Sequence, residues 1–399
     1  MSIKRLRKQR NNDFSIIYIV LVLSIIGIAM SVSASMGGNN VEVKTLLLAM
    51  AKQFINVLLG VISMVLVIRI FKFQYLNKRT ILVLKVGTLL LLLLTRFFPE
   101  INGAYAWIPI PNPFYQYSIQ PAEFAKLVIL LIVAYHAKQM NEDKESIKRN
   151  VKEVFTWIMI YVVVVSFVQK DVGTALIMLV IGCVLYFVPS QKKLVRQQVL
   201  AFMGLFVLML FALFLMSENG LHIIERFDFL KFRIQRFQVV LDPFTNRYGE
   251  GYQLVNSLIA FAKGGLFGLG FGNSTLKYGR LPAASTDFVL AIIAEEFGLL
   301  GITIVFALYI ILLYKLVMYA LKASNIQDKI ILIGFATYLF AHFLLNVGGV
   351  SGLIPLTGVP LLLVSSGGSS TIATLMGVGF CYSAINRINR EQNNENNSR

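Results

Sequence analysis

The sequence predicts an all-α polytopic membrane protein with about ten transmembrane helices and a large extracytoplasmic loop before helix eight. Hydrophobic residues make up 57% of the 399 residues, charged residues make up only 14%, and the mean hydropathy is +0.71. A globule of that composition would present too much apolar surface to water. Apolar runs of about 20 residues, the length that crosses roughly 30 Å of hydrocarbon, recur along the chain.

The predicted spans are residues 14–34, 46–70, 80–98, 122–137, 153–168, 172–189, 197–216, 288–314, 329–347 and 365–386. If these spans alternate, most Lys and Arg fall on one side, which is predicted to be cytoplasmic together with both termini. The chain then divides into a basic N-terminus (1–13), helices one to seven (14–216), an extracytoplasmic loop (217–285), helices eight to ten with a Gly/Pro-rich outer segment (286–388) and a cytoplasmic polar tail (389–399).

The formal net charge of +17 therefore reflects topology, and nucleic acid is not an expected partner. The loop 217–285 carries eight Lys or Arg against five acids. Such a loop suits an anionic partner at the level of the lipid headgroups, with binding to bulk anionic lipid as the alternative.

Apolar residues recur at helical spacing from Ile223 to Leu241 and predict an amphipathic helix along the membrane surface. A short helix is predicted from Tyr252 to Ala262. The glycine run 264–273 follows no strand, so it predicts close backbone approach rather than nucleotide binding. The Gly- and Pro-rich residues 346–370 predict re-entrant backbone lining a cavity, with a compact external turn as the alternative.

Asp287 is the first candidate for a catalytic role, because it lies where the polar loop enters a predicted span. A carboxylate at the mouth of a membrane helix is costly to desolvate and is readily tuned by its neighbours. Glu123 and Lys126 stand three residues apart on one predicted helix face and either pair with each other or present a cation to a ligand. Asp171 lies in a tight turn, where it either caps the next helix or faces a ligand.

Several segments together resemble the SEDS family of bacterial shape, elongation, division and sporulation proteins. The resemblance spans nearly the whole chain. It is carried by Gly103 to Trp107, Gln120 to Glu123, Asp171 to Ala175, Gly251 to Gln253 and on through Lys277, Leu281 to Phe288, Glu295 with Glu296, Gly358 to Pro360, and Ser365 to Ser370.

The resemblance implies a ten-helix glycosyltransferase that polymerises lipid II into peptidoglycan beside a class B penicillin-binding protein and other divisome or elongasome membrane proteins. Asp287 matches the family's essential aspartate, whose expected role is the base that acts on the acceptor hydroxyl. A single displacement of undecaprenyl diphosphate would invert the anomeric centre and needs no second catalytic carboxylate. The expected substrate-binding residues are Trp107, Glu123, Lys126, Asp171, Gln253, Lys277 and Ser369.

No clustered set of acidic ligands predicts a metal site, and no cofactor is expected, although Mg²⁺ bridging diphosphate and carboxylate stays open. The residues Asp242 to Phe244 and Gly272 to Ser274, with Lys277, favour the FtsW-like division branch over the RodA-like elongation branch. A lipid II flippase and a divisome scaffold also stay open as functions. The chain lacks the internal repeat that is typical of transporters, which favours the polymerase over the flippase.

The sequence departs from the family pattern around the essential aspartate. Ser285 stands where the family usually has His, Ala283 where it has Glu, and Ser366 where it has Tyr. Tyr105 and Ala106 replace two usual basic residues before Trp107. The aspartate is retained, so the resemblance supports its role more firmly than it supports any set of substrate-binding cations.

Overall fold

The computed structural model describes residues 13–37, 43–101, 103–110, 117–143, 145–189, 191, 194–204, 239–249, 251–279, 281 and 283–398. Its helices are α1 (Ser15–Ser35), α2 (Val43–Ile70), α3 (Lys78–Leu94), α4 (Pro121–Glu142), α5 (Ile147–Val163), α6 (Val172–Tyr186), α7 (Tyr252–Gly264), α8 (Val289–Lys322), α9 (Ile326–Val350) and α10 (Gly368–Ser398). Residues 194–204 are also helical, whereas the rest of the predicted span 197–216 lies outside the described residues. So does the predicted surface helix, apart from the helical residues 239–241.

Among the described helices, six are long and apolar enough to cross a membrane, namely α1, α2, α3 and α5 with their terminal turns, α8 and α9. The shorter helix α6 is also apolar. In α2 only 22% of the apolar window is buried, against 61% in α9. Helix α9 lies at the centre of the bundle, because it contacts α4, α6, α8 and α10. The apolar side chains that the outer helices leave unburied form the surface that faces lipid.

The structure differs from the predicted elements in three places. Helix α9 continues through Gly348 and Gly349 to Val350, so the non-helical backbone begins later than predicted. Helix α10 begins at Gly368 and continues through the predicted polar tail. Between α3 and α4 lie two short antiparallel strands, β1 (Ile108–Ile110) and β2 (Tyr117–Ile119), which are an exception to the all-α prediction.

Helix α8 is broken at Gly298, where the backbone has φ 63° and ψ −157°. The glycine run after α7 fills the break. The N–H groups of Leu299 and Leu300 donate to the carbonyls of residues 265 and 266, and the N–H groups of residues 269 and 270 donate to the carbonyls of Glu295 and Glu296. These bonds replace the helical ones that the break removes, so the predicted close backbone approach is confirmed.

We expect Gly268→Ala to destabilise this junction far more than Gly279→Ala. Both glycines have positive φ, 79° and 73°, so alanine costs about 1–2 kcal/mol at either site. A Cβ at Gly268 would also overlap with the backbone of Glu296 and Phe297, whereas a Cβ at Gly279 meets no atom within 4 Å. The overlap should add about 1–3 kcal/mol. Thermal unfolding of both purified variants measures the difference, and equal losses would mean that the loop does not pack tightly into the break.

Candidate functional site

Asp287 lies in the turn before α8, at one end of the bundle that we call the Asp287 end. The N–H groups of Thr286, Asp287 and Phe288 all donate to the carbonyl of Ala283, which has φ 58°. The carbonyl of Asp287 accepts a hydrogen bond of 2.8 Å from Nδ2 of Asn346 on α9. The backbone of Asp287 is therefore tied to both its own turn and the central helix.

The non-helical segment between α9 and α10 closes over Asp287. Nδ2 of Asn346 also donates to the carbonyl of Val359 at 2.8 Å, which draws that segment toward the aspartate. Next to Val359, Gly358 has φ 70°, and a Cβ there would lie 3.7 Å from Oδ2 of Asp287. The absence of a side chain at residue 358 thus leaves one side of the carboxylate open.

The pKa of Asp287 is raised to about 7, mainly by burial; a hydrogen bond with Thr286 lowers it, and the negative charge of Asp171 raises it. No Lys or Arg of the described chain forms an ion pair with this carboxylate. An aspartate with this pKa exchanges its proton near neutral pH, as a general base must.

Asp171 and Ser369 meet at the same end through Gln120. Asp171 caps α6 by accepting a hydrogen bond of 3.0 Å from the N–H of Thr174, so the capping interpretation is confirmed. Its second oxygen accepts a 2.9 Å bond from Nε2 of Gln120. The backbone N–H of Gln120 donates to Oγ of Ser369 at 2.9 Å. One glutamine thereby joins the starts of α4, α6 and α10.

Glu123 and Lys126 pair with each other inside the bundle. Nζ of Lys126 lies 2.8 Å from Oε1 of Glu123 and 2.8 Å from Nε2 of His342, and the lysine is 0% exposed. Tyr338 donates to the second oxygen of Glu123 at 3.1 Å. Since the ammonium can only donate, Nε2 of His342 accepts, and its Nδ1–H faces the carbonyl of Pro360 at 3.3 Å. This network therefore connects α4 and α9 to the non-helical segment that covers Asp287.

Lys277 is also buried, in an ion pair with Glu296 of α8. Its Nζ lies 3.0 Å from Oε1 of Glu296, 2.7 Å from the carbonyl of Gly272 and 3.2 Å from Oγ of Ser33 on α1. The adjacent Glu295 accepts bonds from the N–H and hydroxyl of Thr275 at 3.0 and 2.7 Å. Together the two glutamates hold the chain that leads to Asp287.

Adjacent residues on a helix point about 100° apart, so the sequence predicts that Glu295 and Glu296 have no common partner. Ser274 contradicts this prediction. Its hydroxyl donates to Glu295 at 2.5 Å and its N–H donates to Glu296 at 3.3 Å. The two donors of one serine diverge enough to reach both carboxylates.

Trp107 and Gln253 are partly buried, on the approach to β1 and in the first turn of α7. A cleft of about 160 Å³ opens beside the Asp287 turn. Its lining residues are Ser31, Ser35, Ala49, Lys52, Gln53, Ser285 and Ser366. Within the described residues, no group of three or more His, Cys, Asp or Glu side chains could hold a metal ion.

Sequence reasoning missed two residues that organise the site, Asn346 and Gln120. Each lies at the edge of a segment singled out for other residues, and neither carries a charge. The signal that could have found them is a buried amide beside a helix end, since such an amide can bridge carbonyl and carboxylate groups.

The fold and the site define a multi-pass membrane protein with a partly buried carboxylate, free of ion pairs within the described residues, at one end of its helical bundle. The sequence model of the FtsW, RodA and SpoVE family of cell cycle proteins matches residues 13–392. The chain belongs to this family, and the resemblance found in its motifs is confirmed.

Similarity to individual relatives extends over nearly the whole chain. A probable peptidoglycan glycosyltransferase FtsW of Enterococcus hirae is 31% identical over 401 residues, which cover 97% of this chain and 96% of the relative. Stage V sporulation protein E of Bacillus subtilis is 30% identical, covering 93% of this chain and 96% of the relative.

Two solved structures share the fold at 25% identity. A chain from a study of how a peptidoglycan synthase complex coordinates polymerization and crosslinking has a TM-score of 0.70 and covers 95% of this chain and 98% of its own length. The Rod shape determining protein RodA of Thermus thermophilus has a TM-score of 0.61, with coverages of 94% and 97%.

We expect Lys277→Met to destabilise the protein by about 3–5 kcal/mol, because it leaves Glu296 as a buried charge without its counter-ion. The double variant Lys277→Met with Glu296→Gln removes both charges and should recover much of that loss. Unfolding of the single and double variants gives the coupling between the two residues. If the losses simply add, Lys277 and Glu296 do not stabilise each other.

Proposed function

We propose that this chain is a peptidoglycan glycosyltransferase that polymerises lipid II, with Asp287 as the base. Family membership and full-length similarity to relatives named peptidoglycan glycosyltransferase support the reaction class. One observation carries the assignment of the base. The carboxyl of Asp287 is partly buried without an ion pair to any described residue, and its pKa is raised to about 7.

The proposed reaction needs one proton acceptor and stabilisation of an anionic leaving group. The carboxylate of Asp287 removes the proton from an acceptor sugar hydroxyl as that oxygen bonds to the anomeric carbon of the donor. The bond from that carbon to the polyprenyl diphosphate breaks, and the diphosphate leaves with the electron pair. Because the leaving group departs as an anion, it requires no second carboxylic acid to protonate it.

The predicted substrate-binding residues divide into two groups by their surroundings. Trp107, Asp171, Gln253 and Ser369 lie near the ends of elements and are proposed to contact substrate. Glu123, Lys126 and Lys277 are engaged in buried ion pairs. We propose that these three act on the substrate indirectly, by holding the walls of the site.

The Asp287 end is proposed to face the cell exterior, with both termini in the cytoplasm, because Lys and Arg concentrate on the other side of the predicted spans. A class B penicillin-binding protein is the proposed partner, supported by the structural neighbour from a complex that coordinates polymerization and crosslinking. Relatives named FtsW favour a role in division over elongation.

Asp287→Asn should abolish polymerisation while leaving the fold intact, because the amide is nearly the same size but cannot accept the proton. We expect at least a 100-fold loss of rate with purified lipid II and the cognate penicillin-binding protein, within the usual contribution of a general base. The amount of glycan product formed over time, separated on gels, measures the rate. Polymerisation by the variant at the wild-type rate would remove Asp287 from the mechanism, and lipid translocation in vesicles without polymerisation would favour a flippase.

The rate of polymerisation should rise with pH through an inflection near 7. Below that pH the carboxyl of Asp287 is protonated and cannot act as a base, and above it the carboxylate is present. Asp171→Asn removes a negative charge that raises the pKa of Asp287, so its inflection should move to lower pH. Asparagine still caps α6, which preserves the fold. An inflection that stays near 4 in the wild type, or that does not move in the variant, contradicts this electrostatic account.

A further inference from the structure

Two cations converge on the ring of Tyr105 at the Asp287 end. Cζ of Arg96 lies 4.1 Å from the ring centroid, and Nζ of Lys170 lies 5.2 Å from it. Arg96 follows α3, and Lys170 lies in the turn between α5 and α6. Both side chains are exposed, so a ligand can reach them.

The backbone around these three residues is fixed by Gln169, which is fully buried. Its Nε2 donates to the carbonyl of Leu92 at 2.9 Å and to the hydroxyl of Thr95 at 3.0 Å. The backbone carbonyl of Gln169 accepts a 2.8 Å hydrogen bond from the N–H of Tyr105. The end of α3, the segment around Tyr105 and the α5–α6 turn are therefore joined at one residue.

The turn that carries Lys170 has an unusual backbone. It follows a π-helical turn at Val164–Val168, a feature that is frequent at functional sites. Lys170 itself has φ 60°, a conformation that costs a residue with a side chain about 1–3 kcal/mol and is found mainly where function requires it. The strained backbone therefore marks Lys170, rather than its neighbours in the turn, as the candidate functional residue.

Within the described residues, Lys170 has one weak ion pair and Arg96 has none. The carboxylate of Glu100 lies 3.9 Å from Nζ of Lys170, but both side chains are at least 40% exposed, so the pair is weak. No carboxylate in the described part of the chain pairs with Arg96. Like charges repel, and the aromatic face compensates for only part of that cost. An anion between or beside the two cations would compensate for the rest.

We propose that Arg96, Lys170 and Tyr105 form a binding site for a phosphate oxyanion at the rim of the Asp287 site. Lys170 immediately precedes Asp171, which interacts electrostatically with Asp287. Resting on the proposed function, the phosphate is the diphosphate of the lipid-linked substrate. Lys126 and Lys277 are committed to buried ion pairs.

Binding of inorganic diphosphate tests the site without turnover. The chain has two tryptophans, so Trp157→Phe leaves Trp107, two residues from Tyr105, as the only fluorescent indole. In phosphatidylcholine nanodiscs, inorganic diphosphate should change its emission. Arg96→Ala with Lys170→Ala should raise the Kd at least tenfold, and more at low salt than at high salt. Lys78→Ala with Arg79→Ala removes the same two positive charges from the opposite end of α3 and should leave the Kd unchanged. Equal Kd values for the double variant and the control overturn the proposal.

Two further measurements identify the source of the phosphate and separate this site from the catalytic assignment. If phosphatidylglycerol nanodiscs already produce the emission change in an Arg96- and Lys170-dependent manner, the phosphate belongs to lipid headgroups. If it belongs to the substrate, the double variant should raise KM for lipid II about tenfold with kcat within twofold. If the double variant loses diphosphate binding but the wild-type protein never polymerises lipid II, only the proposed function is refuted. Unchanged diphosphate binding in an active, Asp287-dependent enzyme would refute this site alone.

Discussion

The exchange of backbone hydrogen bonds at the break in α8 is the constraint on which the site depends. Within a bilayer, each unsatisfied N–H or C=O group costs several kcal/mol, so a span can be interrupted only where protein supplies new partners. The run after α7 supplies four such bonds around Gly298. The break separates a short half-helix, which begins just after Asp287, from the rest of α8. The position of this half-helix is therefore set by its contacts with the loop rather than by the remainder of α8.

Buried charges reinforce the same arrangement. Lys277 neutralises Glu296 of α8, and Lys126 neutralises Glu123 of its own helix α4, so both of these buried lysines of the described chain have a counter-ion. Asp287 is the contrast, because its backbone is held by Asn346 while its carboxyl has no described cation to stabilise its ionised form. Burial without pairing costs stability, and it is also what brings the pKa of an aspartate close to neutral pH.

The sequence was sufficient for what depends on composition and local pattern, and insufficient for what depends on long-range packing. Hydropathy located nearly every described helix, and the glycine run correctly predicted close backbone approach. Hydropathy could not reveal the break at Gly298, because apolar residues continue on both sides of it. Nor could spacing show that Lys277 would pair with Glu296, 19 positions away, or that Gln120 would join Asp171 to Ser369. Those partners become neighbours only when α4, α6, α8 and α10 assemble.

The departures from the family pattern acquire a physical meaning once they are placed in the fold. The N–H and hydroxyl of Ser366 both donate to the backbone carbonyl of Ser285, at 2.8 and 2.9 Å. Because the acceptor is backbone, this contact does not depend on the side chain at residue 285. Both serines line the cleft beside the Asp287 turn, at positions where the resemblance implies the larger His and Tyr. The contact between Ser366 and Ser285 thus joins the non-helical segment to the Asp287 turn through a backbone carbonyl, and two small hydroxyl side chains border the cleft.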